Sequence, residues 1–332
     1  MSELSPYGAA ARPGAAIGLS VVIPMYNEEL VLADLVGRLR PVLDSLDTEY
    51  EVVCVDDGSS DDTAAILMAL QDSWAQIRVV RLLRNSGHQA ALSAGFDTAR
   101  GDYVVTIDAD LQDPPETIVE MLDAAHRQGV DVVYGVRRDR RSDTFFKRGT
   151  ADVYYRMMRR VAGSQMPHDA GDFRLVSRRV VEAIRRLPPH GRVYRLLIPW
   201  LAFPSTEVTF VREARAAGTT KYPVSKMVAL AVDSITAFSA APLRLATWFG
   251  LLGGLVGFFA ILWSFYGWLT GSVVPGWASM LAIAGFFGSV QLICLGLLGE
   301  YVARIFASSQ NRPTYVIGYD SLDAVSEESA RT

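Results

Sequence analysis

Three oxygen-bearing side chains stand at alternate positions in the stretch VVTIDADLQDPPE, Val104 to Glu116: Asp108, Asp110 and Gln112. In an extended segment, residues two apart point to the same side, so two carboxylates and an amide oxygen would converge. Hard oxygen ligands of this kind suit Mg²⁺ or Mn²⁺, which keep positions open for water and substrate phosphates. A bare Asp-x-Asp is common by chance. Here it ends an apolar run, includes Gln112, and has the rigid Asp113-Pro114-Pro115-Glu116 behind it. Those features favour a metal site. The two prolines fix the backbone and start the next helix, and Asp113 reads as serving that turn or cap.

A second acidic cluster, VDDGSSDDT, also ends an apolar run. A well-capped turn accounts for Gly58, Ser60 and Asp61. It does not account for the adjacent pair Asp56 and Asp57, one of which is placed to accept hydrogen bonds from a base or ribose. The chain has no GxGxxG and no GxxxxGK[ST], so a dinucleotide fold or a P-loop is unsupported. A diphosphate must then be neutralised in another way. Between Arg137 and Arg160 lie Arg137, Arg138, Arg140, Arg141, Lys147, Arg148, Arg156, Arg159 and Arg160, against Asp139, Asp143 and Asp152. The planar fork of arginine suits phosphate, and a basic face also suits an anionic membrane surface. His88, in RNSGHQAA, opens a helix and reads as structural rather than catalytic. His126, His168 and His190 show no ligand spacing.

These residues need elements to hold them. Strand-like runs occur at LSVVIPM, YEVVCVD, IRVVRLL, DYVVTID and VDVVYGV, with helical patterns between them. Apolar strands alternating with amphipathic helices predict an α/β domain, doubly wound around a mostly parallel sheet, over residues 18–220. Ligands bind such sheets beyond the carboxyl ends of the strands, where the acidic clusters and Arg137 fall. Residues 1–17 lack the basic start and apolar core of a signal peptide and read as a disordered tail.

The remainder is written for another solvent. No charged residue occurs from Leu245 to Gly299. Two apolar runs there, separated by TGSVVPG, are each long enough to cross a bilayer, which needs about 20 residues. The expected transmembrane hairpin covers 242–300, with Trp263, Tyr266, Trp268 and Trp277 near its turn as an interfacial belt. Arg244, Arg304 and Arg312 flank the hairpin and the turn has no Lys or Arg, so both termini and the large domain are expected in the cytoplasm. Residues 221–241 predict an amphipathic helix on the membrane surface. Residues 301–332 form a cytoplasmic segment whose RPTYVIGYD is strand-like, able to pair with the domain or with a neighbouring subunit. The net charge of −4 predicts no nucleic-acid partner. The two cysteines, Cys54 and Cys294, predict neither a disulfide framework nor a zinc site.

In this order, VVIPMYNEE, VDDGSSDDT, DADLQDPPE and GDFRL resemble the family 2 inverting glycosyltransferases of GT-A fold. RVYRLLIPWLAF, REARAAGTTKY, FSAAPLRL and LLGEYVARI narrow the resemblance to polyprenyl-phosphate glycosyltransferases related to dolichol-phosphate mannose synthase. The two-helix branch that glucosylates undecaprenyl phosphate is most similar. The resemblance runs from Leu19 to Tyr315. It implies that Pro24, Tyr26, Glu28 and Asp57 hold the nucleoside. Asp108, Asp110 and Gln112 would hold Mg²⁺ or Mn²⁺ and, through it, the diphosphate. Asp172 matches the position of a catalytic base, with Asp169 a nearby rival. Arg137, Arg148, Arg215 and Lys221 match basic positions around the two phosphate groups. The chain departs from the family pattern at His190, Leu196 and Ala202, on the acceptor side.

What the resemblance implies is transfer of a hexose from a nucleotide sugar to a membrane polyprenyl phosphate for cell-envelope glycan modification. UDP-glucose is the first choice of donor, with GDP-mannose or an aminoarabinose-type donor as alternatives. A phosphate acceptor is already ionised, so Asp172 could orient a substrate instead of removing a proton. A processive polysaccharide synthase would need a larger channel and a QxxRW motif, and the chain has neither. A non-catalytic scaffold of the same fold is the reading from another class; such copies usually lose their metal carboxylates. The resemblance and the unpartnered terminal strand suggest a homo-oligomer such as a tetramer.

Overall fold

The computed structural model describes residues 17–138, 170–189, 192–213, 241–270, 276–310 and 312–323. The chain forms two compact units, Met1–Thr220 with Pro313–Thr332, and Lys221–Arg312.

The first unit is built on one sheet. Its strands β1 (Leu19–Met25), β2 (Tyr50–Asp56), β3 (Ile77–Leu82), β4 (Tyr103–Thr106) and β5 (Val132–Arg137) are the five apolar runs, some trimmed or shifted at their ends. Every residue of β1 and β2 is buried, as continuous apolar runs covered on both faces require. Three more strands complete the sheet: β6 (Ala170–Ser177), β7 (Ser205–Phe210) and β8 (Ile317–Asp320). The first two carry no clear strand pattern in the sequence. The order is β7-β5-β6-β4-β1-β2-β3-β8. β6 runs antiparallel to β4 and β5, and β8 antiparallel to β3; the other pairs are parallel. The mostly parallel sheet is therefore mixed, with two reversed strands.

Helices cover both faces. On one face α1 (Leu32–Asp44), α2 (Thr63–Ser73) and α4 (Thr117–Gln128) pack Leu35, Leu39, Leu67, Ile118 and Met121 on Val21, Ile23, Val52 and Val105. On the other, α3 (His88–Thr98), α5 (Arg178–Arg185) and α6 (Tyr194–Trp200) pack Phe96, Val180, Ile184 and Tyr194 on Val22, Val53, Val80 and Val104. The alternation along β1 and β2 is the two-residue period of a strand. β8 closes the β3 edge. Arg78 holds Asp320 through two bonds of 2.9 and 2.6 Å, Val79 N donates to Ser321 Oγ at 3.1 Å, and Tyr315 donates to Asp97 at 2.6 Å. The terminal strand thus pairs within its own chain, and its expected role as a hint of oligomerisation falls away.

The second unit holds α7 (Ala241–Leu269) and α8 (Trp277–Ser309), 29 and 33 residues long. Both are long and apolar enough to cross a membrane. Phe259, Trp263, Phe286 and Ile293 stand exposed along them, which suits lipid rather than water as the surround. A Cβ on Gly253 would come within 2.8 Å of Phe287, so the small residue lets the helices approach. α8 continues through Glu300, paired with Arg304 at 2.9 Å, beyond the expected end of the hairpin. The amphipathic helix expected at 221–241 lies outside the described residues except at Ala241, which begins α7.

Candidate active site

The carboxyl ends of the parallel strands carry the polar residues, as the fold rule requires. Met25 and Asp56 are opposite in register at the ends of β1 and β2. Beyond them the two loops are stitched together. Asn27 N donates to Ser59 Oγ at 3.0 Å, Glu28 N to Thr63 Oγ1 at 2.9 Å, and Ser60 N to Asn27 Oδ1 at 2.9 Å. Asn27 reaches this geometry with φ 56, a left-handed conformation that asparagine tolerates. Pro24 is buried within β1, Glu28 is half-buried, and Tyr26 is exposed at the rim. Asp56 accepts Ser59 N at 2.9 Å, and Arg81 Nε stands 3.1 Å from its other oxygen, off the hydrogen-bonding direction.

Asp57 has a definite structural task. Its two oxygens accept Ser86 N at 2.7 Å and Gly87 N at 2.8 Å, which fixes the loop between β3 and α3. Burial pushes its carboxyl up, while those two amides and the nearby His88 pull it down. Gly58 is required here: its φ is +66, and a Cβ would meet Arg84 C and Asn85 N at 2.7 Å. Asp57 therefore delivers His88 to the site.

His88 is the residue that joins the acidic groups. Its Nε2 lies 3.8 Å from Asp108 Oδ1 and 3.6 Å from Asp172 Oδ2. Burial lowers its pKa, but the neighbouring Asp172 and Asp108 carboxylates outweigh that, so the net shift is upward. His88, expected from its helix-opening position to be structural, stands in the site between two carboxylates. The available signal was its position just past a strand's carboxyl end.

Asp172 sits near the start of β6, which is antiparallel to β4 and β5 and so begins at their carboxyl edge. Three nitrogen-bearing side chains face it. Arg174 Nη2 is 3.1 Å from Oδ1, Arg195 Nη2 is 3.3 Å from Oδ2, and His88 is the third. Burial opposes ionisation, yet these partners hold the carboxyl far below its ordinary range. The backbone carbonyl of Asp172 also accepts the Thr106 hydroxyl at the end of β4. A carboxylate so firmly ionised is a weak proton acceptor and a strong electrostatic anchor.

The acidic motif after β4 is not extended. The strand ends at Thr106, residues 109 and 110 turn, and Leu111 adopts φ 56. The same-side argument from strand geometry therefore fails, because a left-handed residue interrupts it. Gln112 N instead bonds back to Asp110 Oδ1 at 3.2 Å, and Gln112 Oε1 accepts Arg212. Burial pushes the Asp108 carboxyl up, with His88 pulling it down and Asp172 and Asp110 raising it. Asp113 is buried with Oδ1 unpartnered and is pushed up to about 6, by burial first, with Arg137 opposing. It is a buried acid rather than a simple turn cap.

Among the described residues, no group of three or more His, Cys, Asp or Glu side chains gathers as a complete metal shell. A Mg²⁺ or Mn²⁺ site does not need one, since such ions use one or two carboxylates plus substrate phosphates. Asp108 and Asp110 at the strand end fit that donor set, with the Gln112 oxygen in contact with Arg212. Arg137, at the end of β5, lies against Gly171, and its Nε is buried without a partner. Arg148, Arg215 and Lys221 lie outside the described residues.

The profile of glycosyl transferase family 2 matches residues 20–185. The chain belongs to glycosyl transferase family 2. Its sheet with helices on both faces is the GT-A fold of that family, and it is a glycosyltransferase. Relatives match nearly end to end. An uncharacterized glycosyltransferase, YkcC, of Bacillus subtilis (strain 168) is 41% identical over 91% of this chain and 93% of its own. A bactoprenol glucosyl transferase of Shigella phage SfV is 37% identical over 90% of this chain and 97% of its own. In structure, a mycobacterial protein superposes with TM-score 0.50 at 21% identity, covering 67% of this chain and 74% of its own. The family match ends at residue 185, before α6, β7 and the two long helices, while the relatives match over about nine-tenths of the chain.

Proposed function

We propose that this glycosyltransferase moves a hexose, most simply glucose from UDP-glucose, onto a polyprenyl phosphate at the cytoplasmic face of a membrane. The observation that carries the reading is the pairing, in one chain, of a carboxylate-lined transfer site with two helices of 29 and 33 residues. Their exposed aromatic and aliphatic side chains hold the enzyme where a lipid acceptor resides. The bactoprenol glucosyl transferases, alike over nine-tenths of this chain, support the same acceptor class.

The transfer is a direct displacement. An oxygen of the acceptor phosphate forms a bond to the anomeric carbon as the bond from that carbon to the nucleoside diphosphate breaks, and the configuration inverts. The attacking oxygen is already ionised, so no base is required. That agrees with Asp172, held as a firm anion by Arg174, Arg195 and His88. Its role is to orient the sugar or the acceptor. Asp108 and Asp110 would hold a divalent cation, which when bound neutralises charge on the departing diphosphate. Asp57 holds the loop that places His88, and Tyr26 and Glu28 flank the nucleoside side. Arg137 lies on the phosphate side, with Arg148, Arg215 and Lys221 assigned there from sequence.

The test is a panel of radiolabelled donors with polyprenyl phosphate and Mg²⁺ or Mn²⁺, followed by extraction of product into organic solvent. Label from UDP-glucose should enter the organic phase. Label from GDP-mannose or an aminoarabinose-type donor instead would replace the sugar, and none from any donor would favour a binding scaffold.

A further inference from the structure

We propose that Arg212 is a ligand of the donor's diphosphate, held in place by Arg38 acting through Glu116 and Glu213. The inference rests on the function proposed above and adds two residues to its binding machinery.

The strand β7 lies parallel to β5, with Arg137 opposite Phe210, and Arg138 N donates to Phe210 O at 2.8 Å. The chain leaving β7 thus emerges beside Arg137, at the carboxyl edge, and runs against the acidic loop after β4. Two bonds tie it there. The Arg212 guanidinium donates to Gln112 Oε1, and Glu213 N donates to Gln112 O at 3.1 Å. The charge of Arg212 is also felt at Asp113, alongside that of Arg137. Two cations from neighbouring strand ends therefore converge on the loop that carries Asp108 and Asp110.

A clamp fixes this segment from outside. Arg38 on α1 donates to Glu116 at 2.8 and 2.9 Å and to Glu213 at 2.6 and 2.7 Å. Isolated surface ion pairs contribute little, but a forked arginine spanning two carboxylates has the geometry that makes the exception. Its bonds hold Glu213 below the ordinary carboxylate range, and Glu116 too despite partial burial. Without Arg38 the two glutamates repel each other, and the segment carrying Arg212 loses its anchor.

One of the acceptors of the Arg212 guanidinium is the neutral amide of Gln112. A phosphate oxygen is a stronger acceptor, through charge-assisted and forked bonding. A diphosphate arriving beside Asp108 and Asp110 therefore draws Arg212 from Gln112. The exchange gives the diphosphate a cation and releases the Gln112 oxygen to the loop.

The experiment uses the purified full chain in detergent with Mn²⁺, titrated calorimetrically with UDP and with uridine. Arg212→Gln should weaken UDP by about tenfold or more and leave uridine binding and thermal unfolding unchanged. Arg212→Lys should recover part of the loss, and Arg38→Gln should show a smaller loss, again confined to UDP. UDP binding by Arg212→Gln equal to wild type would overturn the proposal while leaving the function intact. So would an equal weakening of uridine, no recovery with Arg212→Lys, or an effect confined to the KM for polyprenyl phosphate. A wild-type chain that binds neither UDP nor GDP would overturn both readings.

Discussion

Arg174 lies beneath Asp172 with 1% of its surface exposed, and its Nη2 bridges the Asp172 carboxylate at 3.1 Å and the Gly171 carbonyl at 2.6 Å. Its Nη1 donates to Tyr194 O at 2.8 Å, so one side chain ties β6 to α6. Arg174→Met should destabilise the domain by about 3–5 kcal/mol, because it leaves a buried carboxylate and two carbonyls without their donor. Denaturant unfolding measures this. The pH dependence has a fixed sign. Asp172 has a folded pKa below its unfolded value near 4. Its stabilisation is complete above that value and is lost only as pH falls through the folded one.

Asp113 carries the opposite sign. Its folded value of about 6 lies above the unfolded one. Ionisation is therefore penalised in the fold, and stability declines as pH rises from about 4 to about 6. Asp113→Asn should stabilise the fold at pH 7.5 by on the order of 2–3 kcal/mol, seen as a higher unfolding temperature, and change little at pH 4. Thermal unfolding in EDTA at the two pH values checks both halves. A gain of equal size at pH 4 would mean the effect is packing, not ionisation.

Asp110 and Asp172 separate binding from transfer. Asp110→Ala should abolish transfer and weaken Mn²⁺-dependent UDP binding, with the chain still folded and in the membrane. Asp172→Asn should cut kcat by roughly a hundredfold and leave UDP affinity close to wild type. Full activity in Asp110→Ala would remove the metal assignment.

The β8 strap is held by a buried ion pair. The Arg78 and Asp320 side chains are 10% and 7% exposed. Asp320→Asn should weaken the strap by about 3–5 kcal/mol and raise its proteolysis and hydrogen exchange ahead of global unfolding. The exposed β3 edge should also increase aggregation.

The central strands were legible because parallel strands covered on both faces read as unbroken apolar runs, as in β1 and β2. Strand β6 was not. Its sequence AGDFRLVS carries Asp172 and Arg174 in the middle, and they are held partly by each other and partly by distant groups such as the Tyr194 carbonyl and Arg195. Strand β7 is short, and its alternation of Val208 and Phe210 with Glu207 and Thr209 is too brief to stand out from a loop. The acidic residues of the site could be read from their places after strands. Their grouping could not, since Asp108 and Asp172 meet only through His88, which the topology supplies. Nor could the Arg38 clamp, whose three members come from α1, the N-cap of α4 and the exit of β7. Nothing in the spacing of Arg38, Glu116 and Glu213 announces that they touch.

The position of β8 in the chain fixes an order of biosynthesis. Residues 317–320 leave the ribosome after α7 and α8, yet they supply the partner that β3 needs. During translation the sheet waits with one edge open while α7 and α8 are synthesised. The last strand can dock only after that step. Completion of the sheet thus follows synthesis of the two long apolar helices, and a chain stalled before they are made cannot seal its sheet.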